Sequence, residues 1–423
     1  MLVVILGAGA SYDSNLDVPV SFKDSLAFDF VDDLTEVTRP PLAPQLFEMD
    51  RRVHHEAAMA FPRAAPALLD ARADVRAGLS IEAALQRLQD EFDDDPDVRA
   101  QLLSLRYYLQ RVLTRTPRAW DEAAHGQTSY VSLLSQLARW ARKVGEQLCL
   151  ITFNYDDMLE RAIERVFGHR IAAFGDYLNH DLFRLYKPHG SITWAYELPW
   201  AQAVHNLFHD ERRYDEDRNK IVASDPTLDD DLTLVWRRPT DAPLAEVRHD
   251  PYLGRGSSVA YMPALAIPVE KKPGLILPGE HEAAMRRDLN HASAVLAIGW
   301  RAREQHIIDL LADELPQRRQ LHVVAETEDA ARETAGNLWR TGNFNRHAWH
   351  TRGFAHFARS APSTLPDQPE RRAEAVHSLA PVLRQQVPMS TKHPLVPDSV
   401  QEYDPDTELG TYAPFEVPTV LDA

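Results

Sequence analysis

Three short motifs, far apart in the chain, carry the residue types that could do chemistry: Gly7-Ala8-Gly9-Ala10-Ser11, Thr152-Phe153-Asn154-Tyr155-Asp156 and Lys187-Pro188-His189-Gly190-Ser191. Glycines placed directly after a buried strand let the backbone turn tightly and approach a pyrophosphate, and the helix that follows offers its first N–H groups to that anion. Gly7 and Gly9 are the first two glycines of such a dinucleotide loop; Ser11 follows where a third would stand, and an ordinary strand-to-helix turn is the plainer reading. Asn154 and Asp156 close a strand at its carboxyl end, where open α/β sheets place ligands. The same two residue types also cap helices through local hydrogen bonds. His189 precedes a glycine and a serine, and as one of eighteen histidines it says little alone.

These motifs need strands and helices to hold them. Leu2-Val3-Val4-Ile5-Leu6 and Leu148-Cys149-Leu150-Ile151 are continuous apolar runs, the pattern of strands buried on both faces of a parallel sheet. Phe183-Arg184-Leu185-Tyr186 is a shorter strand, and a helix runs from Asp157 to about Val166. After Pro268 the pattern predicts a helix over 280–290, a strand ending at Gly299, a helix over 304–314, a strand over 321–325 and a helix over 329–339. Strands and helices alternating at this length predict a doubly wound parallel, Rossmann-like sheet. Between about 21 and 145 the apolar spacing is helical, with stripes at Ile81, Ala84, Leu85 and Leu88, at Leu102, Leu105, Leu109 and Leu113, and at Leu133, Leu134, Leu137 and Trp140. Such stripes are core positions of an inserted helical layer. Residues 195–262 have weak periodicity and read as an irregular insertion covering the site.

In their order and combination, the motifs resemble the sirtuin-like superfamily, in which a Gly-Ala-Gly-x-Ser loop, Thr-x-Asn-x-Asp and His-Gly follow one another on one NAD-binding domain. Val18-Pro19, Arg39-Pro40-Pro41-Leu42 and Ser80-Ile81-Glu82 extend the likeness toward its bacterial branch, and it runs to about residue 358. Sirtuin deacylases usually hold a structural zinc with two Cys-x-x-Cys pairs; this chain has one cysteine, Cys149. The resemblance is therefore to the zinc-less bacterial proteins that hydrolyse NAD in anti-phage defence. It implies NAD as substrate and no zinc or other metal. Asn154 would place the water or ribose at the reacting carbon, Asp156 would bind the nicotinamide carboxamide, and His189 would serve as general base, a task that suits an imidazole near its ordinary pKa of about 6.5. Gly7, Ala8, Gly9, Ala10 and Ser11 would hold phosphates, with Thr152, Gly190 and Ser191 completing the binding set. The run 294–300 resembles the late strand and glycine that contact the ribose, through Gly299. Beyond it the chain departs from the family: Arg301 stands for a serine and Glu304 for an aspartate. Arg301 either reaches a phosphate with its five-donor fork or is a solvated arginine at a helix start.

Composition sets the outer bounds. With 423 residues, 44% of them apolar, the chain can bury a large core as one catalytic domain over 1–358. A proline-rich arm follows over 359–423; ten of the 29 prolines fall after residue 360, and the arm has one helix predicted near 370–386 and suits oligomerisation or partner contact. The absence of a long apolar run, a signal peptide or paired cysteines leads to an expectation of a soluble, cytoplasmic protein with no membrane contact. A net charge of −17 argues against direct nucleic-acid binding. The resemblance adds a gated activity in abortive infection, a homo-oligomer, and a partner such as a HerA-type helicase, an Argonaute or a phage component. The alternatives are an NAD-dependent deacylase or ADP-ribosyltransferase and a non-catalytic NAD or ADP-ribose sensor.

Overall fold

The computed structural model describes residues 1–12, 14, 64–77, 84, 86–88, 90, 96–198, 233–236, 245–249, 256–266 and 275–360. The motif-like pieces at Val18-Pro19, 39–42 and 80–82 lie outside them, as do the greater part of the arm, residues 361–423, and its expected helix.

The apolar runs form the centre of the molecule. β1 (Leu2–Leu6) pairs in parallel with β2 (Leu148–Thr152) on one side, Leu2 opposite Leu148, and β2 pairs with β3 (Phe183–Tyr186). On its other side β1 pairs with β8 (Ala294–Ile298), followed by β9 (Arg319–Val324) and β10 (Phe344–His350), all parallel. The order β10-β9-β8-β1-β2-β3 reverses direction between β1 and β8. That is the arrangement of a doubly wound sheet, with its switch point at the ends of those two strands.

Every residue of β1, β2 and β8 is buried because both faces of the sheet are covered. Alternate side chains go to opposite cores. Leu2, Val4, Leu6, Leu148, Leu150, Leu296 and Ile298 pack with α4 (Ser129–Val144), α5 (Met158–Phe167) and α9 (Gly353–Ser360). Val3, Ile5, Cys149, Ile151, Val295 and Ala297 pack with α6 (Gly279–Asn290), α7 (Gln305–Glu314) and α8 (Glu328–Trp339). At roughly 25 cal/mol for each Å² of apolar surface, these two layers are the main stabilising term of the domain. Cys149 lies in the second core as a small apolar residue.

The helical layer is present where it is described. α1 (Ala8–Tyr12) is one short turn after β1; α2 (Ala65–Arg76) and α3 (Pro96–Ala123) form a third core in which Leu102, Leu105, Leu109 and Leu113 are buried against Ala67, Leu68 and Ala71. Ala84 and Leu88 join that core; Ile81 and Leu85 lie outside the described residues.

The stretch expected to be an irregular insertion contains strands. β4 (Gly190–Leu198), β5 (Thr233–Trp236), β6 (Ala245–His249) and β7 (Gly256–Leu265) form a separate antiparallel sheet in the order β5-β4-β7-β6. Its pairing joins segments distant in sequence, such as Gly190 with Leu265 and Tyr196 with Met262, which local periodicity does not register. Ile192 and Leu265 of this sheet pack under α3.

Candidate active site

All three motifs sit at the carboxyl ends of adjacent parallel strands. The loop after β1 lies against the loop after β8: Gly7 N donates to Ile298 O (2.9 Å) and Gly9 N to Gly299 O (3.0 Å). A Cβ on Gly7 would stand 2.5 Å from Gly299 O, and Gly299 itself has φ +59 with Ala10 N only 2.4 Å from where its Cβ would be. The glycines thus let two backbones touch at the switch point, which side chains would prevent. Three of the amide groups expected to face a phosphate, those of Gly7, Gly9 and Ala10, are already donated within the protein. Ala8 is the exposed residue of the loop, Gly9 is half-buried, and Ala10 and Ser11 are buried.

Ser11 is the centre of a buried polar network. Its hydroxyl donates to Asp156 Oδ2 (2.8 Å), accepts from Asn154 Nδ2 (2.8 Å) and shares a hydrogen bond with Tyr130 OH (2.9 Å). Asn154 Nδ2 also donates to Gly7 O (2.9 Å) and meets Tyr130 OH (3.1 Å). Thr152 Oγ1 accepts from Asn154 N (3.2 Å). Asp156 Oδ1 accepts from Met158 N (3.0 Å), an Asx turn that leads into α5 at its N-cap residue Asp157. Burial pushes the Asp156 carboxyl above its usual range, with Lys187, the Met158 amide and Ser11 pulling it back.

Behind this network lies a buried ion pair. Lys187 is fully enclosed, and its Nζ donates to Glu160 Oε1 (2.8 Å) and to the backbone carbonyl of Asp156. Tyr177 OH donates weakly to the same carboxylate oxygen (3.4 Å) and accepts from Trp194 Nε1 (3.2 Å). Burial raises the Glu160 carboxyl and Lys187 opposes that rise. One lysine therefore connects the loop after β2 with the start of α5 and with the turn into β4.

His189 belongs to a neighbouring aromatic group. It is buried, with its ring centroid 4.8 Å from Phe153, 6.4 Å from Tyr155 and 5.9 Å from His306. Its carbonyl accepts from Ala266 N (2.9 Å), so the residue is fixed between the two sheets. Gly190 follows with φ +83, and a Cβ there would lie 1.9 Å from Ala264 O. Ser191, also buried, bonds to Thr193 Oγ1 (3.0 Å). Phe153 also packs at a tilt against Trp300 (ring centroids 4.9 Å apart). Glu304 accepts from Trp300 Nε1 (2.8 Å), so the residue at the family's aspartate position holds the indole. The Arg301 side chain is exposed, and its carbonyl accepts from Asn337 Nδ2 (3.1 Å).

The structure thus joins Ser11, Thr152, Asn154 and Asp156 in one network and sets His189 beside it, with residues 153–156 linking the two. Sequence reasoning passed over Tyr130, Glu160 and Lys187. Lys187 opens the third motif, and Glu160 lies in the first turn of α5, just after the second motif. Tyr130 gives no local signal. Among the described residues no three His, Cys, Asp or Glu side chains are grouped to hold a metal, and no helix is long and apolar enough to cross a membrane. A cavity of about 380 Å³ opens at the opposite, amino end of the sheet, beside Arg184, Arg287 and Asp288, away from these motifs.

Fold and site together define an open α/β protein that gathers its polar motifs at the carboxyl edge of its sheet beside the switch point, where sheets of this kind bind ligands. No protein-family model matches the chain and no curated protein matches it. Solved structures similar to it include Sir2 homologues. A multiple mutant in complex with 2′-O-acetyl ADP ribose has 14% identity, covers 86% of this chain and 90% of its own, and has a TM-score of 0.34. Two single-site mutants of a Sir2 homologue in complex with ADP ribose have 13% and 14% identity, cover 86% of this chain and 94% of their own, and have TM-scores of 0.33 and 0.32.

Proposed function

We propose that the chain cleaves the bond between nicotinamide and ribose in NAD. The observation that carries this reading is the meeting of three sequence-distant motifs at one switch point, where the polar network of Ser11, Asn154 and Asp156 adjoins His189. Water adds to the ribose carbon as the glycosidic bond breaks, nicotinamide leaves neutral with the bonding pair, and the water's proton is released beside ADP-ribose. The reacting carbon passes through an oxocarbenium-like state, so positioning and charge stabilisation are the protein's main contribution. Asn154 orients ribose or water, and His189 is the base beside the ribose hydroxyls. Asp156 has accepting positions beyond those used by Ser11 and Met158, and takes the carboxamide N–H. Ala8 and Gly9 carry the loop backbone that lies toward the ligand, with Gly299 and Arg301 on its far side.

In the cell such an activity depletes NAD and must be gated. The reading therefore includes an assembly-triggered or partner-triggered effector of anti-phage defence. Nicotinamide release by the wild type, lost in both Asn154→Ala and His189→Ala while the fold is retained, is the expected result; turnover kept in both variants refutes the assignment. A second reading, a sensor that binds NAD or ADP-ribose without cleaving it, is favoured by one observation: the Asn154 amide is engaged by Gly7, Ser11 and Tyr130. Calorimetry showing NAD bound and recovered intact would select it. NAD consumption only on addition of an acylated peptide would instead select a deacylase.

A further inference from the structure

Helix α3 carries a cation with no counter-charge among the described residues. Arg106 lies within the inward stripe of Leu102, Leu105 and Leu109, where a charge is out of place. One turn on, Gln110 Nε2 donates to Ile192 O (2.9 Å), and Ile192 N donates to Tyr155 O (2.9 Å). This part of α3 is therefore tied through Ile192 of β4 to the loop that holds Asn154 and Asp156. The Nε and Nη1 atoms of Arg106 are enclosed and have no hydrogen-bond partner. Among the described residues the ionisable groups acting on the guanidinium are Tyr196, Tyr107 and Tyr155, all phenols. Burial lowers the basicity of the guanidinium, and the phenols only partly offset that.

An enclosed guanidinium with unmet donors costs stability, and buried polar groups are as a rule satisfied. A ligand that supplies the missing acceptors resolves the conflict. The planar fork of arginine matches phosphate oxygens in pairs, and among the described residues no carboxylate is paired with it to compete. We propose that Arg106 is the phosphate-receiving residue of the site, its enclosed donors taking the diphosphate of a nucleotide that lies against Tyr155 beneath α3. The choice of a dinucleotide rests on the NAD reading above; the presence of an anion receptor at Arg106 does not.

The test is calorimetry of the full chain with ADP-ribose, inorganic pyrophosphate and nicotinamide riboside, on wild type, Arg106→Gln, Arg106→Lys and Arg106→Leu, with a melting curve for each protein without ligand. ADP-ribose and pyrophosphate are expected to bind Arg106→Gln about 10- to 100-fold more weakly, Arg106→Lys falling between, while the riboside, which has no phosphate, is unaffected. Arg106→Leu is expected to melt above the wild type, because it removes an unmatched charge. A purely structural arginine would give the reverse, a lower melting point with unchanged pyrophosphate affinity. Equal ADP-ribose binding by wild type and Arg106→Gln overturns the inference and leaves the hydrolase reading intact. If the wild type binds no ADP-ribose, the hydrolase reading falls, and pyrophosphate then decides: weaker binding by Arg106→Gln sustains the receptor, and no difference overturns it.

Discussion

Acidification is expected to destabilise the wild type by about 2 kcal/mol more than a His322→Leu variant between pH 7.5 and pH 5. His322, on β9, is buried, and neither ring nitrogen has a hydrogen-bond partner. It stacks on His350 of β10 at 6.1 Å, and burial lowers both rings from 6.5 to about 4, reinforced at His322 by the charge of His350. His350 in turn faces Phe357 (4.9 Å) and the charge of His356, both on α9. A histidine whose folded value lies below its unfolded one contributes its stability above pH 6.5 and loses it as the pH falls toward 4. The whole gap, at about 1.36 kcal/mol for each unit, is worth about 3 kcal/mol, of which about 2 is lost by pH 5. Asp156 and Glu160, raised by burial, have the opposite sign, and they cancel because both proteins contain them. Urea denaturation of the two proteins at both pH values reads the difference directly. Leucine is close in size and breaks no hydrogen bond of the ring. Parallel pH dependences in the two proteins would refute the reasoning. The effect would extend to the site, since α9 places Phe354 against Tyr130 at 5.3 Å.

The Lys187–Glu160 pair invites a double-mutant cycle. Lys187→Met alone leaves a buried carboxylate and is expected to lower unfolding stability by about 3–5 kcal/mol, while Lys187→Met with Glu160→Leu recovers a large part of it; a double variant as unstable as the sum of the two singles would count against a buried pair. Gly190→Ala forces a Cβ onto Ala264 O at a left-handed backbone position. It is expected to cost more than about 3 kcal/mol and to displace His189, whereas an unchanged melting point would show that the turn is looser than its geometry.

How much was legible depends on where each signal resides. The runs at Leu2–Leu6, Leu148–Thr152 and Ala294–Ile298 announced themselves because a strand covered on both faces must be apolar throughout. β10 did not: Phe344 is buried and its next two residues are exposed, as befits an edge strand held by one neighbour. The strands β5, β6 and β7 escaped for a related reason, since they belong to a small sheet whose partners are distant in sequence. At the site, Asn154 and Asp156 were legible as an Asx turn after a strand. Neither Arg106 nor Tyr130 was singled out from the sequence, since nothing local marks either as part of a site.

The sequence by itself therefore determined the doubly buried strands of the main sheet, their alternation with helices and the loops in which polar residues would gather. These follow from local facts: which residues can be buried on two faces, which allow a sharp turn, which can cap a helix. The tertiary structure decided what those residues touch. Gly7 and Gly9 meet the backbone of Gly299, Ser11 is bonded to Asn154 and Asp156 across more than a hundred residues, and Lys187 takes Glu160 from another element. Such partnerships depend on how separate strands dock, and the desolvation that shifts a carboxyl or an imidazole exists only once the chain has closed around it.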